Sequence, residues 1–250
     1  MKAYLLFNEI KSSLLLSILL GVSIYALLFI GFVIYPISLN VSNDTIRTIL
    51  FIPEVVNESS YYAFMMEYII IAGAIMATVL ATKTIVHDKK GGYDEYLFSL
   101  PTTRGMIFLN KLLTIAIELF VFNIGFYILS FVFNSMFDFN IPLKKLLEFN
   151  SALTLSSITF ASIGVMVGSF IKPKLIYLKN LIFIFFLIIV AIPERLYNIY
   201  LLRYINPFSY FKLEEIIESG YKSSFLIASG CLIIFTISIS KTIYDEYDVE

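Results

Sequence analysis

Two carboxylates stand inside long apolar runs of this chain, Glu67 and Glu118. An ionisable side chain at membrane depth is expensive, and its default reading is functional: a proton or cation site, or part of a pathway. Glu67 falls about a third of the way into its run. Glu118 lies seven residues beyond Lys111, about 10 Å along a helix. A proton- or cation-coupled carrier would use such groups. The structural alternative is that each meets a lysine, a hydroxyl or water within the bundle. That reading is preferred for Glu118, with Lys83 or Lys179 as candidate partners, while Glu67 is assigned to a translocation path. Other chemistry-bearing types are isolated. His87 and Cys231 are each the sole residue of their kind, so neither a metal array nor an intrachain disulfide can be drawn. No nucleophile–base constellation is present, and the chain is read as a non-enzyme without catalytic, cofactor-binding or metal-ligating residues.

The elements that must position these groups are membrane helices. Of the 250 residues, 59% are apolar and only 15% charged, against roughly half and a quarter in soluble domains. Six spans can be drawn: Leu14 to Leu39, Tyr61 to Thr82, Leu112 to Phe137, Ser151 to Ile171, Leu175 to Ile192, and Ser223 to Ser240. Each is near the length that crosses about 30 Å of hydrocarbon. Helices satisfy their own backbone in lipid, whereas a barrel would show shorter, alternating segments. The expected class is therefore all-α and polytopic, with residues 1–250 forming one transmembrane domain. Pro36 should end or kink the first span. Gly164 and Gly168 form a GxxxG pattern that allows close helix packing.

Flanking segments add two expectations. Wound as a helix, Ala3, Leu6, Phe7, Ile10 and Leu14 share one face, opposite Lys2, Asn8, Glu9, Lys11 and Ser12. This predicts an interfacial helix before the first span. Between the fifth and sixth spans, an aromatic and charged segment breaks at Asn206-Pro207. It predicts short external helices, either an outer gate or an interfacial anchor, that lie in the headgroup zone or dip back into the protein. Gly220 can close the second of them as a C-cap. Phe183 and Phe186 are candidates to line an apolar path. Lys83, Lys89, Lys90, Arg104 and Lys111 between the second and third spans place both termini in the cytoplasm, although the loop before the last span also carries basic residues. A net charge of −1 gives no basis for nucleic-acid binding.

The segment from Lys83 to Lys111 is a polar island with a basic entry, a Gly91-Gly92 break, an acidic-aromatic turn and the Pro101 interruption. A short helix held parallel to a membrane, carrying Leu97, Phe98 and Leu100 beside Asp94 and Glu95, suits docking on a soluble partner. The stretch GGYDEYLFSLPTTRGMIFLNK resembles the cytoplasmic loop of type-2 ABC-transporter permeases, the exporter-type membrane subunits. Gly92, Glu95, Leu97, Leu100, Pro101, Thr103, Arg104 and Lys111 carry the likeness, and Asn206-Pro207 adds to it. Tyr93 departs from the family, which often has Thr there. The resemblance covers nearly the whole chain. It implies a coupling helix formed by Gly92, Asp94, Glu95, Tyr96, Leu97, Phe98 and Leu100, followed by Pro101 and Arg104, seated in a cytoplasmic ABC ATPase subunit. The chain has no GxxxxGK[ST] loop, so ATP and Mg would belong to that partner. It further implies a second permease copy, as homodimer or heterodimer, in a bacterial cell membrane, exporting an amphiphilic peptide, lipid-like molecule or drug. Exporters of amphipathic peptides such as phenol-soluble modulins are the comparison within that family. The reading from another class is an ATPase-independent secondary carrier or ion channel using Glu67 and Glu118.

Overall fold

A computed structural model describes residues 2–40, 58–86, 103–170, 203–204, 206–213, 215–216 and 220–246. Five long helices account for most of them: α1 (Lys2–Asn40), α2 (Glu58–Val86), α3 (Arg104–Met136), α4 (Leu143–Phe170) and α5 (Ser223–Asp245). A 3-10 turn, Pro207–Ser209, precedes α5. All five are long and apolar enough to cross a membrane, and no strand occurs among the described residues. These correspond to the expected first, second, third, fourth and sixth spans. The expected fifth span, Leu175 to Ile192, lies outside the described residues.

The helices overrun the apolar runs that announce them. A 39-residue helix such as α1 is about 58 Å long, nearly twice the hydrocarbon thickness. It runs without interruption from Lys2 through Pro36, so no separate interfacial helix precedes the span and Pro36 does not end it. Similarly, α3 starts at Arg104, well before Leu112. Hydropathy marks where lipid is met, whereas backbone hydrogen bonding continues for as long as residues favour helix.

Packing sorts the helices into a central pair and a surround. Burial reaches 72% and 67% of the most apolar windows of α2 and α4, against 22% for α1 and for α5. The pair runs parallel, because Tyr62 meets Asn150, Thr78 meets Phe160 and Thr82 meets Gly164 in ascending order. Small residues permit this. A Cβ built on Gly164 would stand 2.6 Å from the Thr78 carbonyl oxygen, and one on Gly168 would stand 3.0 Å from Ile85 Cβ. The GxxxG pattern is thus a packing face on α2. Around the pair, α1 and α3 run opposite to it. Large apolar side chains face outward on the surrounding helices, among them Leu15 on α1, Phe120 on α3 and Ile234 on α5. Water would penalise that surface and lipid would not.

The two ends of the bundle differ chemically. At one, Phe32, Tyr62, Phe139 and Phe149 cluster, with Phe32 and Phe139 centroids 4.7 Å apart. There the α3–α4 turn places Asp138 at φ 54, and Asn140 donates its backbone N–H to Glu58 in the first turn of α2, 2.9 Å away. At the other end α1 begins, α2 ends, α3 begins, and α5 finishes beside Arg104 and Phe108.

Candidate functional site

That second end holds a buried charged cluster. The expected interfacial face of α1 is broken up: Glu9 is 8% exposed and Ser13 1%, whereas Phe7 is 64% exposed, while Lys11 stays exposed and Leu6 and Ile10 are half-buried. In a water-facing helix the apolar side would be the buried one. In a bundle surrounded by lipid the polar groups have no better place than the interior, and the apolar ones lose nothing by facing out. Glu9 and Ser13 therefore start the inward stripe that Ile24, Leu28 and Phe32 continue.

Lys111 is fully buried. Its Nζ donates to the Thr84 carbonyl oxygen at 2.6 Å and pairs with Glu9 Oε1 at 3.3 Å. Thr84 sits in the last turn of α2, where carbonyls lack intrahelical donors and the helix dipole favours a cation. From α2, Lys83 Nζ reaches the Ser12 carbonyl oxygen at 3.2 Å. Lysines from α2 and α3 thus tie together α1, the end of α2 and the start of α3. The last two flank the segment 87–102.

Glu118 lies one layer deeper. It is 8% exposed, its Oε1 is in hydrogen-bond contact with the Ser13 hydroxyl, and its Oε2 has no hydrogen-bond partner among the described residues. Of the two lysines expected as partners, Lys83 acts on it only electrostatically, as does Glu9, and Lys179 lies outside the described residues. The contact is with a hydroxyl on α1, which the sequence reading allowed only as a class.

Glu67 is half-buried on α2 and belongs to the one accessible stripe of that helix, with Tyr68, Ile71 and Ile75. A groove of about 210 Å³ runs between α1 and α2, past Ile30, Tyr61, Phe64 and Tyr68, and Glu67 is not among the residues that line it. A larger cavity of about 480 Å³ opens between α3, α4 and α5, lined by Ile115, Phe120, Tyr127, Ile158 and Ile237, with Asn123 and Thr154 bonded to each other at 3.1 Å.

Arg104 opens α3 and donates to the Asp245 carbonyl oxygen at 2.8 Å, fastening the end of α5. Gly92, Asp94, Glu95, Tyr96, Leu97, Phe98, Leu100 and Pro101 lie outside the described residues, as do His87, Phe183 and Phe186. Asn206 and Pro207 are described and deeply buried. Asn206 Oδ1 accepts the Phe208 N–H at 3.2 Å, capping the 3-10 turn, and the Phe208 ring lies tilted against Phe160 in the middle of α4, their centroids 4.4 Å apart. Tyr221 bonds the Glu148 carbonyl oxygen at 2.6 Å near the start of α4, and burial pushes its phenol up to about 12. The described residues of this segment from Asn206 to Leu213 pack into the bundle. Gly220, at φ +73, donates its N–H to the Ile216 carbonyl oxygen at 3.0 Å, and the residues it was expected to cap, 217–219, lie outside the described ones. Arg203, Glu215 and Lys222 form an ion-pair cluster beside Phe225.

Sequence reasoning missed Glu9 and Ser13 as inward-facing groups. Glu9 and Ser13, four residues apart, share one helix face, and that spacing was the available signal. It also missed the Tyr62–Asn150–Ser130 relay, in which Asn150 accepts from Tyr62 at 3.1 Å and donates to Ser130 at 2.6 Å. Among the described residues no three of His, Cys, Asp and Glu come together as a metal site. No protein-family model and no curated protein matches the chain.

Proposed function

We propose that the chain is the transmembrane permease subunit of an ABC exporter, driven by a separate cytoplasmic ATPase that docks on residues 92–100. One observation carries the reading beyond the motif. The helix ends that flank this segment are bound to each other and to α1 by Lys111 and Lys83. A push on a docked helix would therefore move three spans together rather than flex a loop. A merely solvated connector would need no such rigid mounting.

The same reading takes six spans. The start of α1 and the end of α5 lie at one end of the bundle, joined through α3 by Glu9–Lys111 and Arg104–Asp245. A chain with both ends on one side makes an even number of crossings, which supports six over five. Both termini would be cytoplasmic, and a second permease copy would complete the path. The substrate class we favour is amphiphilic, in keeping with the apolar grooves between α1 and α2 and along α3.

A second reading, the ATPase-independent carrier, draws support from Glu118, a buried carboxyl without an ion pair among the described residues. Co-purification from the native membrane in mild detergent separates the two. The proposal expects an ABC ATPase in stoichiometric amount and substrate-stimulated ATP hydrolysis. Transport by the chain alone in proteoliposomes would overturn it.

A further inference from the structure

We propose that Glu118 is a proton-binding site, whose carboxyl carries a proton in the packed bundle and donates it to Ser13. The hydrogens available between the two groups favour this. The Ser13 hydroxyl has one hydrogen and three acceptors within reach: the Glu9 carbonyl oxygen at 3.0 Å, the Ile10 carbonyl oxygen at 3.2 Å, and Glu118 Oε1. A serine inside a helix ordinarily bonds back to its own preceding turn. If it does so here, an ionised Glu118 would face the lone pairs of Ser13 with no hydrogen between them. A proton on Oε1 resolves the conflict, since Glu118 then donates to Ser13 and Ser13 donates to Glu9 carbonyl. Every hydrogen in that chain has an acceptor.

The charges around the carboxyl divide, Lys83 favouring an anion there and Glu9 opposing one, and burial is the largest influence. From α1 the ionisable group bearing on it is Glu9, and from α2 it is Lys83; none from α4 or α5 does so among the described residues. On α3 itself Lys111 is directed to Glu9 and Thr84, and Lys83 is bonded to the Ser12 carbonyl oxygen. Neither ammonium forms an ion pair with Glu118. An anion would thus sit in the interior with one oxygen bare of hydrogen bonds, a far greater cost than a neutral carbonyl oxygen in the same place. Parting α1 from α3 would admit water, remove Ser13 and release the proton to that water, leaving the carboxylate. Protonation and the α1–α3 contact are then linked.

The test is infrared spectroscopy of the full chain in lipid nanodiscs, with carboxyl-13C glutamate to mark glutamic acids. At neutral pH the wild type should show a protonated-acid carbonyl band that Glu118→Gln abolishes. Ser13→Ala should keep the band at a shifted frequency. As pH rises, disappearance of the band should coincide with amide exchange in residues 9–21 of α1 becoming faster than in Glu118→Gln at the same pH, which corrects for base catalysis of exchange. Absence of the band in the wild type, or its full retention in Glu118→Gln, overturns the site. Band loss with exchange no faster than in Glu118→Gln at the same pH overturns the linkage to α1. None of these readouts needs an ATPase, so they stand apart from the exporter reading.

Discussion

Replacing Gly164 by alanine should loosen the bundle at its centre, although alanine is the better helix former. A Cβ at this position meets Thr78 O at 2.6 Å, Ala81 Cβ at 2.9 Å and Thr78 Cα at 3.0 Å. Two of the three are backbone atoms of α2, which cannot rotate away. The helices must part by several tenths of an ångström, and overpacking of this kind costs about 1–3 kcal/mol. Separation also stretches the bonds from Thr82 to Gly164 O (3.0 Å) and from Thr78 to Phe160 O (3.3 Å), each worth about 0.6 kcal/mol in a membrane bundle. Both hydroxyls keep their bonds to α2, at 2.8 Å, so this loss is partial. Against it stands a helix-propensity gain of about 1 kcal/mol. The net expectation is destabilisation of about 1–2 kcal/mol. Gly230 on α5 provides the control, because a Cβ there meets nothing within 4 Å. Gly230→Ala should be neutral or stabilising by up to about 1 kcal/mol. Gly168→Ala should fall between, since its nearest contacts are at 3.0–3.2 Å and two belong to the Ile85 side chain. Thermal unfolding in mild detergent, followed by loss of monodispersity, gives the ranking. Equal melting temperatures for Gly164→Ala and Gly230→Ala would refute the claim that close approach at Gly164 holds α4 on α2.

Lys111→Met should cost about 3–5 kcal/mol by breaking a buried ion pair. Adding Glu9→Gln should recover part of that, and a double-mutant cycle read by thermal unfolding should give a coupling of about 1–3 kcal/mol. Tyr221 should titrate near 12 rather than at the usual 10.0, so its hydrogen-bonded phenol supports the fold below about pH 10 and that support is lost as pH rises through its folded value. The tyrosinate absorbance of wild type minus Tyr221→Phe should show this late midpoint. Glu95→Arg should uncouple ATP hydrolysis in the reconstituted complex while leaving the chain monodisperse, because a reversed charge would repel a basic docking groove. Full coupling in that variant would remove the docking assignment.

What the sequence determined by itself was whatever depends on neighbours along the chain. Uninterrupted apolar runs identify the five helices, since a backbone in lipid must satisfy itself locally. Asn206-Pro207 announces its own turn. Small residues four apart in α4 marked a packing face without naming its partner. The tertiary structure decided what depends on residues far apart. Only packing could show that Gly164 and Gly168 receive α2, that Lys111 belongs to Glu9 and Thr84, and that Glu118 meets Ser13 across more than a hundred residues of chain. The reversal at Glu9 has the same origin. An amphipathic pattern states that a helix has two faces, and which face turns inward depends on whether water, lipid or another helix stands outside it.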